Sequence, residues 1–363
     1  FQVIDQESRN FGAFARLDWT GEALGRRADA FAGAFLRFGD LDARQWANLK
    51  SSRGALTAQS RQNADAADLF AEGRLFVTER LALVAGGAFG WAEREYRDLR
   101  SARTGDATYD WFAPRLGLIW ESEDGAQLFA NLTRSVEPPN FSALVQTGPG
   151  VVSFAPLKAQ EAWTGEVGAR GRRGPLTWDV AVYRAEIKNE LLNFDVGPGV
   201  PVAQFNAGPT THQGLEAALD WRFGERMRLR QTYTWSDFRF ESDPIYDRLP
   251  VVPEHFYRAE LRYDHPAGWF LAPSLEWAPQ DVYVDYRNRM KAPGYAVWSL
   301  NGGWRSEAGL EVFLEIRNLA DERYISNFSA VTGWPLATTS QAGPAVFFPG
   351  EGRAAFGGWA WRF

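Results

Sequence analysis

The chain has 363 residues, with 39 Lys+Arg against 45 Asp+Glu, 16 Trp, 35 Gly and no Cys, and its mean hydropathy is −0.34. Without Cys there is neither a disulfide framework nor thiolate chemistry, and the mildly acidic balance, with no basic block, argues against nucleic acid. The longest nearly apolar run, LALVAGGAFGWA over 81–92, is too short for a spanning helix of about 20 residues.

Alternation then recurs from one segment to the next. In FGAFARLDW, Phe11, Ala13, Ala15, Leu17 and Trp19 oppose Gly12, Phe14, Arg16 and Asp18. In LRQTYTW, Leu229, Tyr233 and Trp235 oppose Arg228, Arg230, Thr232 and Thr234. In YRAELRY, Tyr257, Ala259, Leu261 and Tyr263 oppose Arg258, Glu260 and Arg262. AVWSLNGGW and LEVFLEIR repeat the pattern, setting Trp298, Leu300 and Trp304 against Ser299 and Asn301, and Leu310, Val312, Leu314 and Ile316 against Glu311, Glu315 and Arg317. Period two means strands. About fifteen are expected, beginning near 11, 27, 63, 81, 109, 126, 161, 176, 210, 227, 255, 269, 295, 310 and 350.

The links alternate as well. Short ones (TGEALG, TER, SEDG, RRGP, GER, HPAG, SEAG) separate long ones near 39–62, 97–108, 137–160, 194–210, 240–254, 285–294 and 325–349. A soluble sandwich or propeller would show the same strand alternation, but a propeller needs a repeat of about 40–50 residues, and neither explains alternating link lengths. Short turns on one side and long loops on the other point to an outer-membrane barrel. The last strand carries Trp359, Trp361 and Phe363 on one parity, so its aromatic stripe is expected to face lipid, with Phe363 at the inner interface. Fifteen is odd, whereas bacterial single-chain barrels generally use even numbers, and unpaired edges in lipid are costly. The expectation is an all-β transmembrane antiparallel barrel of which this chain supplies the C-terminal portion.

Several motifs resemble those of the TonB-dependent outer-membrane receptors: ANLTRSVEPPNFSAL (130–144), LKAQEAWTGEVGARGR (157–172), WDVAVYRAEIKNELL (178–192), NAGPTTHQGLEAALDW (206–221), EIRNLADERYIS (315–326) and FFPGEGRAAFGGWAWRF (347–363). They occur in family order and cover essentially the whole chain. The resemblance implies a barrel of roughly twenty-two strands around a plug, with the plug and first strands absent here and no TonB box in view. It implies TonB-energised import of a scarce ligand, a ferric siderophore first and cobalamin or another complex second. It implies no catalysis and no resident cofactor. The partners it implies are TonB acting through the plug, outer-membrane lipid and lipopolysaccharide, and the assembly machinery that reads an aromatic C-terminal strand.

No catalytic constellation stands out. His212, His255 and His265 have no metal-binding spacing, although His212 and His255 lie where long links re-enter strands. Arg16, Arg115, Arg228, Arg258, Glu260 and Glu315 are expected to line a polar lumen, paired with neighbouring carboxylates. Ligand-contact candidates sit at loop bases: Arg134, Phe141, Phe154, His212, Tyr246, Arg248, His255, Tyr283, Tyr286, Arg287 and Trp334. An anionic chelate with flat donor rings suits the charged fork of Arg and the stacking of aromatics. The rivals are a passive porin of about 16–18 strands and a barrel-bound hydrolase with a Ser/His/Asp set at the rim.

Overall fold

A computed structural model describes residues 2–148, 151–194, 203–241, 247–328 and 347–362; Tyr246, Trp334 and Phe363 lie outside them. Fifteen strands form one sheet in which each main strand pairs with the next in chain order. They are β1 (Gln2–Ala23), β2 (Arg26–Leu49), β3 (Ser52–Phe76), β4 (Leu81–Asp98), β5 (Thr104–Glu121), β6 (Gln127–Glu137), β7 (Gln160–Arg173), β8 (Leu176–Lys188), β9 (Thr210–Phe223), β10 (Met227–Phe240), β11 (His255–Asp264), β12 (Trp269–Ala278), β13 (Tyr295–Arg305), β14 (Leu310–Arg317) and β15 (Ala354–Trp361). Four two-stranded hairpins and a short helix, Phe141–Leu144, occupy the long links. The chain divides into two compact units, 1–119 with 131–165 and 186–210, and 120–130 with 166–185 and 211–363.

The expected strand starts hold along most of the chain, and the short turns explain why. Gly268 and Gly309 adopt φ +83° and +86°, where a Cβ would also meet the carbonyl oxygens of Arg305 and Arg362 at 2.2 and 2.1 Å. Only glycine fits both demands. Three starts fall early: β1 begins at Gln2, β3 at Ser52 and β5 at Thr104, against the expected 11, 63 and 109. The predicted long link 39–62 is strand almost throughout, closed by a two-residue turn at Lys50 and Ser51, both at positive φ. β2 and β3 run on through this stretch, where Leu41, Trp46, Leu49 and Leu56 are too scattered to mark an alternation.

In the first unit, one sheet face carries Phe11, Leu17, Trp19, Leu36, Phe38, Leu69, Phe89 and Trp91, aligned across β1–β4 by the pairing Phe11↔Phe38, Ala13↔Leu36, Leu69↔Phe89 and Ala67↔Trp91. These side chains are exposed, Leu17 by 80%. The opposite face carries Arg16, Asp18, Asp29, Glu72 and Arg74, with Arg16–Asp18 at 2.6 Å, Arg74–Asp29 at 2.8 Å and Arg115–Glu72 at 3.1 Å.

The second unit repeats the division. Its apolar face aligns Trp361 with Leu310, Trp359 with Val312, and Leu271, Leu275 and Trp277 with Gly302, Trp298 and Ala296. Trp359 is 74% exposed and Trp361 63%, so neither is covered by another layer of this chain. Trp304 and Trp361 donate their indole N–H groups to the turn carbonyls of Ala267 and Ala308 at 3.0 and 3.1 Å. Trp269 and Trp277 mark the two ends of β12. Eight residues span about 26 Å along a strand, or about 20 Å in height at a barrel strand's tilt of about 40°. That matches an apolar band bordered by two aromatic girdles. So large an exposed apolar face is untenable in water and belongs in lipid.

Candidate functional site

The polar face of the second unit is a lattice of paired charges. Arg228 bonds Asp220 through Nε at 2.8 Å, Arg258 pairs with Glu276 at 2.8 Å, Arg317 with Glu315 at 2.8 Å, and Arg230 with Glu260. Tyr295 donates to Glu276 at 2.8 Å and Arg170 to Gln127 at 2.9 Å. Of these, Asp220, Arg230, Arg258, Glu260, Glu276 and Arg317 border a cavity of about 1060 Å³. The lumen-lining role expected for Arg228, Arg258, Glu260 and Glu315 is what the geometry shows, each meeting an opposite charge on the sheet face.

Asparagine amides tie the long links down to the wall. A side-chain amide offers one acceptor and two donors, so it can pair with a backbone N–H and C=O as a strand residue would. Asn206 accepts from Lys158 N at 2.8 Å and donates to Lys158 O and Asn189 O, both at 2.9 Å. Asn288 accepts from Arg248 N at 3.1 Å and donates to Arg248 O at 3.0 Å. Asn318, 1% exposed, accepts from Glu322 N at 2.8 Å and donates to Glu322 O and Glu351 O at 2.9 Å. Asp321 accepts from Arg353 N at 2.9 Å, and Tyr324 lies 4.7 Å from the Tyr295 ring. Burial pushes the Tyr324 hydroxyl above the ordinary tyrosine value. The NLADERY stretch therefore clasps the base of the last long link, a role its spacing alone did not reveal.

The ligand candidates fall into two groups. In the first unit, Arg134 donates to Glu161 at 2.7 Å and to Phe112 O at 2.6 Å. Phe141 opens the short helix whose N-cap, Asn140, accepts from Ala143 N at 3.0 Å. Phe154 stacks near Tyr96, with ring centroids 6.2 Å apart. In the second unit, Arg248 donates to Glu254 at 2.8 Å, and Lys291 Nζ sits 4.8 Å from the Tyr283 ring. Arg248, Tyr283, Lys291, Asp281 and Phe238 border a cavity of about 410 Å³. Arg287 is half-buried in the same link.

Three further candidates sit in aromatic contacts. Tyr286 is 4% exposed and packs edge-on to Phe240, so it supports the link from within. His255 pairs across the sheet with Trp235 and accepts or donates a 2.7 Å bond with the Tyr233 hydroxyl. Its parity is that of Tyr257 and Trp277, which places it among the girdle aromatics and away from the polar face. His212 stacks on Phe238 at 3.9 Å, almost coplanar. His265 stacks on Trp269 at 4.5 Å in a short turn, so the three histidines occupy three separate aromatic stacks.

The family model for the β-barrel of TonB-dependent receptor-like proteins matches residues 1–319. The chain belongs to the TonB-dependent receptor β-barrel family. Family members are bacterial outer-membrane proteins, and the apolar face above is the surface that places this chain there. The metal-pseudopaline receptor CntO of Pseudomonas aeruginosa is 24% identical over 246 residues, covering 63% of this chain and 32% of that protein. The ferric-pyoverdine M114 receptor PbuA of Pseudomonas sp. is 23% identical over 278 residues, covering 70% and 32%. Among solved structures, the unliganded ferric citrate transporter FecA aligns with TM-score 0.79 at 16% identity, over 99% of this chain and 55% of that one. The ferric yersiniabactin receptor FyuA of Yersinia pestis aligns with TM-score 0.75 at 17% identity, over 98% and 54%. The chain thus spans about a third of those curated relatives and about half of those structures. The structures share its barrel fold.

Proposed function

We propose that this chain forms the wall and loops of an outer-membrane receptor that imports a scarce metal chelate, a ferric siderophore first, with energy supplied through TonB. The observation that carries the reading is the gathering of Arg248, Tyr283 and Lys291 around a cavity at the bases of two long links, on a family barrel whose inner face is lined by paired charges. A cationic, aromatic rim suits an anionic chelate with ring donors. Named receptors for pseudopaline, pyoverdine and yersiniabactin among the similar proteins support the same cargo class. In this reading Arg134, Phe141, Phe154, Arg248, Tyr283 and Arg287 stand where ligand passes. Residues 1–363 are barrel, the plug that TonB engages lies outside them, and the chain performs no catalysis. Lipid and lipopolysaccharide cover the apolar face, and the assembly machinery reads the strand bearing Trp359 and Trp361.

The test is growth under iron limitation, with and without the intact gene, on a panel of ferric chelates, repeated in a strain lacking TonB. Loss of growth on a particular chelate in both strains is the expected result. Uptake that persists without TonB and rises linearly with concentration means a passive pore instead.

A further inference from the structure

On the lipid-facing side of the first unit, the continuous apolar row ends at Phe38 in β2 and at Trp91 in β4. Alternate residues share a face, so the next on that side are Asp40, Asp42 and Arg44 in β2, and Glu93, Glu95 and Arg97 in β4. Arg61 of β3 pairs with Asp42 on one flank and with Arg97 on the other. Two arginines directly opposite, with Cβ atoms about 5 Å apart, repel and weaken a sheet. Arg44 lies diagonal to Arg61, about 7–8 Å away by the same geometry. Three guanidiniums gather on one stretch of wall.

The nearby carboxylates do not account for them. Asp42 bonds Arg61 Nε at 3.0 Å, and Asp5, directly opposite Arg44, turns instead to Arg53 at 3.3 Å. Glu95 lies two residues from Arg97. Asp106 of β5 shares their face, having the parity of Phe112, which stacks on Phe89 at 4.5 Å. Among the described residues, none of Arg44, Arg97, Glu95 and Asp106 closes an ion pair, and all four are exposed. Charges of both signs share this surface unbridged.

Their height identifies what they meet. Arg44 and Arg97 stand six residues beyond Phe38 and Trp91, about 20 Å along the strand and about 15 Å in height at a tilt of about 40°. The head-group layer of a phospholipid bilayer is only about 5–7 Å thick on each side, so phospholipid ends below them. The long links mark this end of the strands as the extracellular one. A lipid whose saccharide head carries phosphates reaches that height. Divalent cations hold such a layer together, so it presents both signs to the wall.

We propose that the outward side of β2–β5 beyond Phe38 and Trp91 is a docking surface for the phosphorylated saccharide head of an outer-leaflet glycolipid, whatever cargo the receptor carries. Arg44, Arg61 and Arg97 take phosphate, to which a guanidinium offers a planar fork of donors. Glu95 and Asp106 meet the divalent ions that cross-link neighbouring phosphates, since such ions take oxygen ligands. An anion between Arg61 and Arg97 removes their repulsion.

The double variant Arg61→Gln/Arg97→Gln and the single variant Arg44→Gln of the full-length receptor, purified in detergent with magnesium, test this by equilibrium binding of labelled rough lipopolysaccharide. The comparison probes are the same glycolipid after phosphatase treatment, phosphatidylglycerol and inorganic phosphate. Wild type is expected to bind the phosphorylated glycolipid about tenfold or more tightly than the treated one, and each variant to lose about that factor. Arg16→Gln, on the opposite face, leaves the affinity unchanged. If the double variant fails to fold as judged by heat-modifiable gel mobility, Arg44→Gln carries the comparison. Equal affinity for the treated glycolipid, or unchanged affinity in the folded variants, overturns the surface. Equally tight binding of phosphatidylglycerol or of inorganic phosphate overturns the glycolipid as its occupant. Growth on ferric chelates is expected to stay at the wild-type level in both variants, so a failure of the import reading registers separately.

Discussion

Replacing Asn318 by Ala removes three hydrogen bonds at once, to Glu322 N, Glu322 O and Glu351 O. The site is 1% exposed, so water does not take over those partners readily. At about 1 kcal/mol for each bond the loss is about 3 kcal/mol. Asn318 also holds φ +49°, a left-handed conformation that adds about 1 kcal/mol for Ala. The total of about 4 kcal/mol is local: it loosens the clasp between 318–324 and 350–353, while the β13–β14–β15 pairing stays intact. Amide hydrogen exchange reads it directly. The Glu322 and Arg353 amides, bonded to Asn318 Oδ1 and Asp321 Oδ1, should exchange about a thousandfold faster, since each 1.4 kcal/mol is about tenfold. Asn318→Gly keeps the backbone conformation and should lose only the hydrogen-bond share. Protection of both amides at wild-type level in Asn318→Ala would refute the clasp.

Gly350→Ala drives a Cβ to 2.2 Å from the Tyr324 ring; expelling that ring from Tyr295 should cost about 1–3 kcal/mol, seen as increased proteolysis of the last long link. Leu314→Arg places a charge on the apolar face opposite Gly302 and Gly357 and should lower folding stability in lipid vesicles by about 2–4 kcal/mol. Asn301→Arg, one strand away on the polar face opposite Glu315, should cost less than about 1 kcal/mol in the same titration. A double-mutant cycle on Arg134 and Glu161 should give a coupling of about 1 kcal/mol or less, because both side chains are partly exposed.

Strand positions were legible wherever one face meets lipid, because grease on alternate residues has no other use there. β7 through β14 begin within a residue or so of where alternation and turn glycines place them. The 39–62 hairpin was not legible: its few large apolar residues, Leu41, Trp46, Leu49 and Leu56, do not alternate, and its turn uses Lys50 and Ser51 where glycine or asparagine would have announced it. The candidate site was legible in residue type and much less so in direction. Parity assigns His255 to the girdle, and only pairing with Trp235 reveals it. The asparagine clasps were visible as motifs, yet their function depends on segments dozens of residues away, as Asn206 and Lys158 illustrate.

The absence of Cys makes the decisive measurement straightforward. Single cysteines introduced from Ala30 to Phe38 along β2, each spin-labelled in lipid bilayers, report contact with dissolved oxygen in the hydrocarbon or with a water-soluble nickel complex. Labels at 30, 32, 34, 36 and 38 should favour oxygen, and those at 31, 33, 35 and 37 the nickel complex, a strict period of two. Uniform accessibility along the segment, or alternation in the opposite phase, would contradict a wall with lipid on its apolar face and water on its charged one.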